Sequence, residues 1–290
     1  MKRVLLCLAL VASACSSSEP PAVESLPAEA VTLAAMPDGT FLWAEINGTV
    51  HQESGAAIAT VAAVTDGQRG LLGLTVDEDA RIFVSYTDVT FQLVVSELIG
   101  RGSGPLQEEE IWRGPVTVQG GNGGRMIADN GELIIGIGLL NDREAQADPD
   151  SIVGKLIAID PDGPPDQTPR ILSGPWFNPF AFDRSPAGEL WVADNEPRDG
   201  DERLARGDLG LDPEVALVLP FDSAPSGLAA TDDALYVCSY NDLELNRYDL
   251  VDGVPTFAET VADDCLLDVE LLADGDLVYS TGTAIVRLTP

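Results

Sequence analysis

Apolar and polar residues alternate in short runs from Val31 to the end of the chain, and turn residues break the runs at regular intervals. Alternation over a few residues is the period of a half-buried strand, not of a helix. The runs come in pairs: 31–36 with 41–46, 71–76 with 81–86, 125–128 with 132–138, 180–182 with 189–194, 226–231 with 234–240, and 268–273 with 276–281. Asp38-Gly39, Asn130-Gly131, Pro186-Ala187-Gly188, Asp232-Asp233 and Asp274-Gly275 separate the members of five pairs. Such residues accept the backbone conformations that tight hairpins demand. Further strands are expected at 90–99, 154–160, 214–220, 243–250 and 284–289. The pairs recur every ~40–55 residues, a period that signals a propeller or array. Four strands per repeat and six repeats predict an all-β fold, a six-bladed β-propeller with four-stranded antiparallel blades. A two-sheet sandwich would account for the strands but not for the period. Closing the blades into a ring covers most sheet edges. It also brings many loops together at the rims of a rigid central channel, where binding is expected.

The pattern does not extend to the N-terminus. Lys2 and Arg3 precede an apolar run, Val4 to Val11, and then Ala12-Ser13-Ala14 before Cys15. This is the order of a secretory leader, residues 1–14, and its apolar run is too short to span a bilayer as a helix. Ala-Ser-Ala-Cys resembles a bacterial lipoprotein box, with Ala12 in place of the usual Leu, which makes Cys15 the expected lipidation site. An ordinary signal peptide cut nearby is the alternative. Residues 15–30 read as the lipidated Cys and a Ser/Pro/Glu-rich flexible tether, and 31–290 as the propeller. The expected location is therefore the bacterial cell envelope, with the membrane reached only through the lipid anchor.

Composition adds two restrictions. The formal net charge is −32, from 16 basic and 48 acidic residues, and Lys155 is the one lysine outside the leader. Such a surface repels phosphates and anionic lipid, so nucleic acid is not an expected partner. Solubility or adaptation to salt is a sufficient reason for the acidity. Of four cysteines, Cys7 leaves with the leader and Cys15 takes the lipid. Cys238 and Cys265 remain, at no metal-binding spacing, and form an expected disulfide in an exported protein.

Three passages, GQRGLLGLTVDEDARIFVSYTD (67–88), DPDSIVGKLIAIDPDG (148–163) and FNPFAFDRSPAGELWVAD (177–194) followed by Asp201-Glu202, resemble the glucose/sorbosone dehydrogenase family. Pro225-Ser226-Gly227 and DVELLADGDLVYS (268–280) continue the resemblance in the same order. The resemblance implies a six-bladed propeller, which the repeat count reaches independently. It also implies oxidation of aldoses with pyrroloquinoline quinone (PQQ), held by basic side chains and Ca²⁺.

The residues depart from that chemistry. The family's catalytic His, four residues before the Arg of Gly124-Arg125-Met126, is Gly121 here. A general base is required to take the sugar's proton, and glycine has none to offer. The sole histidine, His51, falls in an outer strand of the first blade and reads as structural. With one such histidine, no Ser-His-Asp triad is available. The Arg of the family's Arg-Asn-Pro is Phe177, ahead of Asn178 and Pro179. The Lys after the fifth inner hairpin falls in 239–242, which has no basic residue, and the Arg-x-Arg before Asp268 is Cys265-Leu266-Leu267. A tricarboxylate in a partly dry channel needs such cations. The candidates left for cofactor contact are Gln68, Arg69, Arg125 and Asn178, with Arg125 expected to brace the hairpin.

The metal loop is better preserved, at Glu196, Pro197, Asp201 and Glu202, with Asp194 and Asp199 as further hard oxygen ligands suited to Ca²⁺. Acidic loops are nevertheless general in this chain. The Gly-rich 120–124 lacks the Lys and helix of a phosphate loop. Core packing is the expected role of Trp43, Trp112, Trp176 and Trp191, with Trp176 the one placed to face a sugar ring. Together these readings imply an envelope lipoprotein whose propeller has lost catalysis. It would bind no cofactor, act as a monomer, and take a sugar-like small molecule or an envelope protein as its partner. The alternative is an active PQQ-dependent aldose sugar dehydrogenase with a rearranged site. Within the resemblance, a Cys238–Cys265 bond would staple neighbouring blades beside the cofactor position.

Overall fold

The computed structural model describes residues 24–27, 29–196 and 201–289. Six four-stranded antiparallel sheets follow one another around a ring, as the repeat predicts. Their inner strands are Thr32–Ala35, Leu71–Val76, Gly123–Asp129, Ala181–Arg184, Pro225–Ala230 and Val269–Leu271, and we number the blades one to six in that order. Each inner strand pairs with the next in sequence through a short hairpin, so the hairpin partners found in the sequence are the inner halves of the blades.

The alternation has its expected consequence. Apolar side chains of one blade pack against those of the next. Leu42, Val50, Leu71 and Val84 join blades one and two, and Phe83, Leu93, Ile135 and Ile157 join blades two and three. Trp191, Leu204, Leu228 and Val237 do the same for blades four and five. Burial of this kind, at roughly 25 cal/mol per Å² of apolar surface, is what holds the ring. All four tryptophans lie in these layers, the most exposed at 4%. Trp176 is fully buried and donates to Ser173 Oγ at 3.1 Å, so it does not face a ligand.

One expectation is corrected. The tether does not run to residue 30: Glu24–Pro27 is a strand, antiparallel to Ala284–Leu288, and forms the outer strand of blade six. Leu26 packs with Ala30, Leu33 and Phe41. The reason is the ring itself. A blade that ended at 288 would leave an unpaired edge, and the N-terminal segment supplies the missing partner. The leader, Cys15 and the first part of the tether lie outside the described residues. No described helix is long and apolar enough to cross a membrane.

Antiparallel order puts two sets of loops at one end of the ring: those between blades, and those joining second to third strands within a blade. This rim carries the passages that resemble the family. Blade three departs from regularity here, since its second and third strands are joined by residues 138–154, which include the helix Arg143–Ala147. Blades three and four approach closely at this point. A Cβ on Gly136 would strike the Pro179 carbonyl, so only glycine admits the Asn178-Pro179 turn.

Candidate functional site

At the axis, the inner strand of blade three carries Arg125 into the channel. Its guanidinium donates to Asp268 Oδ2 at 2.6 Å, to the Leu267 carbonyl at 2.7 Å and to the Ser226 carbonyl at 3.1 Å. The Phe180 ring lies 4.6 Å from its centre. Asp268 also accepts from Leu33 N–H at 2.7 Å and Val269 N–H at 3.1 Å. One buried ion pair thus ties blades one, three, five and six, with Phe180 at the start of blade four packed on it. The sequence expected Arg125 to brace its own hairpin; it braces the ring.

Two further carboxylates share this space. Asp183, on the inner strand of blade four, accepts from Ala230 N–H at 2.8 Å and Arg184 N–H at 2.7 Å. Burial pushes its pKa up to about 7, with the Asp268 charge adding to the rise and the two N–H groups and Arg184 opposing it. Glu270, on the inner strand of blade six, is raised well above the usual carboxylate range by burial, then by the charges of Asp268 and Asp183, with Arg125 opposing. Asp183 and Glu270 are half-buried. Burial raises Asp268 as well, against Arg125 and its backbone donors. The channel therefore holds three carboxyl groups around one guanidinium.

The other cofactor candidates serve the rim's own backbone. Gln68 Oε1 accepts from Gly121 N–H at 2.8 Å. Arg69 donates to the Thr117 hydroxyl and carbonyl at 3.1 and 2.9 Å, pairs with Asp66, and stacks on Phe91. Asn178 Oδ1 accepts from Gly123 N–H at 2.9 Å. These groups hold the loop 117–123, which in the family presents the His. Gly121 itself has φ +70° and open space where a side chain would begin.

Around Phe177 the acidic residues are likewise engaged. Asp194 is buried, accepts from Phe177 and Asn178 N–H at 2.9 and 3.0 Å, and pairs with Arg203 at 3.1 Å. Glu202 accepts from Ser223 Oγ at 2.6 Å and Ala224 N–H at 3.0 Å, linking its loop to the next one round the rim. Glu196 lies 3.9 Å from Arg143. Asp201 is exposed, while Pro197 and Asp199 lie outside the described residues. Among the described residues no group of three or more His, Cys, Asp or Glu is arranged to hold a metal ion. The Ca²⁺ ligand set is therefore not assembled from Asp194, Glu196, Asp201 and Glu202 alone.

Cys238 and Cys265 are bonded, with Cα atoms 5.5 Å apart and both side chains fully buried. The bond joins the second strand of blade five to the loop 263–268, whose Leu267 and Asp268 grip Arg125. His51 is stacked on Trp43 at 3.9 Å, with Nε2 3.2 Å from Glu45 in blade one, far from the axis. Two cavities, of about 300 and 290 Å³, open between blades two, three and four at the opposite end of the ring, lined by Asp129, Glu132 and Arg184 among others.

Sequence reading missed Asp183, Glu270 and Arg143. Glu270 is an acid inside an inner-strand run, where an apolar residue is the rule, and Asp183 directly follows the run 180–182. Arg143 stacks over Phe177 at 5.3 Å but is 66% exposed, and its place depends on a loop length no motif specifies.

A six-bladed ring with an Asn-Pro turn and an acidic loop at one rim defines a class, the propellers built like the sugar dehydrogenases. Residues 27–206 match the Glucose / Sorbosone dehydrogenase family, and the chain belongs to it. Aldose sugar dehydrogenase YliI of Escherichia coli K12 is 30% identical over 201 residues, which are 59% of this chain and 54% of that protein. The chain thus matches about half the length of this curated relative. The apo form of soluble aldose sugar dehydrogenase from Escherichia coli superposes with a TM-score of 0.77 at 20% identity, covering 92% of this chain and 99% of the other. PQQ-bound aldose sugar dehydrogenase from Streptomyces coelicolor gives 0.75 at 18% identity, over 93% and 99%. At those identities the two structures establish the fold alone.

Proposed function

We propose that this chain is an envelope-anchored member of the family that has given up PQQ catalysis and acts as a binding module through its rim. The observation that carries this reading is the state of the channel. The guanidinium at the axis, Arg125, has both terminal nitrogens committed to Asp268, Leu267 and Ser226. Around it stand Asp183, Asp268 and Glu270, and no His occupies position 121. PQQ is a tricarboxylate. Adding its charges to a site already short of cations costs several kcal/mol per uncompensated charge. The residues present do not fit it. Lipidation at Cys15 remains part of the proposal on the leader's sequence, as does the monomeric state.

The second reading, an active aldose sugar dehydrogenase, is favoured by the name of the 30%-identical relative. Titration of the purified protein with PQQ and Ca²⁺, read by cofactor absorbance and by dye reduction with aldoses, separates the two. No saturable binding and no dye reduction are expected. Tight PQQ binding with sugar-dependent dye reduction would reverse the assignment. Incorporation of labelled palmitate in the wild type, and none in Cys15→Ala, tests the anchor.

A further inference from the structure

The rim is not uniform. On the side of blades two and three it carries Arg69, Arg113 and Arg143. On the side of blades four to six the loops 219–224, 240–243 and 263–268 contain no basic residue. This side carries instead the exposed acids Asp201, Asp222, Asp242 and Asp263.

Within that acidic arc stands an apolar patch. Phe221 is 82% exposed, Tyr240 50% and Leu243 44%. They project from two adjoining loops whose backbones are joined. Tyr240 N–H donates to the Ala224 carbonyl at 2.9 Å, Asn241 N–H to the Ser223 carbonyl at 3.2 Å, and the Asn241 side chain to the Asp222 carbonyl at 2.8 Å. Glu202 ties the neighbouring acidic loop to the same Ser223 and Ala224. Ala224 and Leu243 are held at φ +52° and +59°, a left-handed conformation that costs an ordinary residue about 1–2 kcal/mol. Strain of this kind survives where the surroundings fix the loop. The patch is thus preformed, and a partner would not have to order it on binding.

Exposed aromatic and aliphatic groups ringed by polar ones mark interaction surfaces, and aromatic anchors inside a polar rim are the usual anatomy of an interface. The rim's charge selects the occupant. A second copy of this chain would bring its own acids against these, and an anionic membrane or nucleic acid would be repelled in the same way. We infer that the arc of blades four to six is a docking surface for a basic polypeptide, whose apolar side chain packs on Phe221, Tyr240 and Leu243 while its Lys or Arg residues meet Asp201, Asp222, Asp242 and Asp263. The inference deepens the reading of the rim as a binding face and rests on it.

The test uses the full chain at physiological ionic strength and a labelled Lys-Leu peptide as probe, with a Lys-Ser peptide of equal charge as reference. The Lys-Leu peptide binds more tightly than the Lys-Ser peptide. Phe221→Ser/Tyr240→Ser weakens the Lys-Leu peptide tenfold or more and leaves the Lys-Ser peptide unchanged. Val89→Ser/Val254→Ser, exposed apolar positions elsewhere on the ring, leaves both unchanged. All four positions are exposed, and equal melting temperatures check that every variant folds. Equal affinity for the two peptides, an unaffected Phe221/Tyr240 variant, or an equal loss in the control variant would overturn the proposal. So would a wild type that self-associates through these residues, or that binds anionic vesicles by them. Dye reduction measured on the same samples bears on the lost catalysis and not on the peptide result, so the two readings fail separately.

Discussion

The rim and the channel it encircles have parted from the family in different ways. At the rim, side chains hold backbone: Asn178-Pro179 turns against Gly136, Gln68 reaches the loop at Gly121, and Asp194 gathers the N–H groups of Phe177 and Asn178. In the channel side chains hold one another: Arg125 is taken by Asp268, and Asp183 and Glu270 add two further carboxyl groups. Scaffold hydrogen bonds that run to backbone groups are insensitive to what the channel holds. The positions where the resemblance implies cofactor-binding side chains hold Phe177, Gly121 and 265–267 instead.

The largest effect should come where rim and channel meet, at Arg125. Arg125→Met removes a buried cation from contact with Asp268 and takes the opposing charge away from Glu270. Breaking a buried pair from one side costs about 3–5 kcal/mol. Urea unfolding should show that loss, and Arg125→Met/Asp268→Asn should recover part of it, since the stranded charge is gone. A loss within about 0.5 kcal/mol would mean that Arg125 does not lock the blades.

How much of this was readable in the sequence depends on the length over which a feature is written. The blades were readable because each repeats its alternation and its turn. The strand Glu24–Pro27 was not: four residues ending in proline carry too short a period, and only the edge at 284–288 calls for it. The empty positions of the site were readable, since Gly121 and Phe177 are visible as letters. The occupied ones were not. Asn178 looked like a cofactor contact, but its amide serves Gly123, 55 residues earlier, a partner that register alone reveals. Asp183 directly follows the run 180–182, and only the ring brings it within electrostatic reach of Asp268 and Glu270.

The channel carboxylates make the second prediction. Asp183 and Glu270 hold their protons more tightly in the folded chain than in the unfolded one. Their contribution to stability is therefore fully present below the usual carboxylate range. It is lost as pH rises from there through about 7 for Asp183, because the unfolded chain gives up its protons first. Arg125 and Arg184 oppose the effect without abolishing it. Stability should fall between pH 5 and pH 8 by about 1–3 kcal/mol, the size expected for raised carboxylates that share one site. Glu270→Gln keeps the shape and removes one charge, so its melting temperature should depend less on pH than the wild type's. Parallel profiles for the two proteins would remove the channel cluster from the comparison drawn above.

The smallest effect tests the rim alone. Gly121→His restores the family's base by name. At φ +70° a side chain costs about 1–2 kcal/mol, and His enters this region more readily than most residues. Nothing lies within 4 Å of the new Cβ, so the strain is confined to the backbone. Gln68 still accepts the N–H of residue 121 and holds the loop in place. The variant should fold, melt slightly below the wild type, and reduce no dye when supplied with PQQ, Ca²⁺ and an aldose. Adding Phe177→Arg to it should change nothing further, because Asp183, Asp268 and Glu270 still oppose a tricarboxylate. Dye reduction by the single variant would show that a base was all the site lacked, and by the double variant alone that a base and one cation sufficed; either would show that the channel's carboxyl groups are not the obstacle.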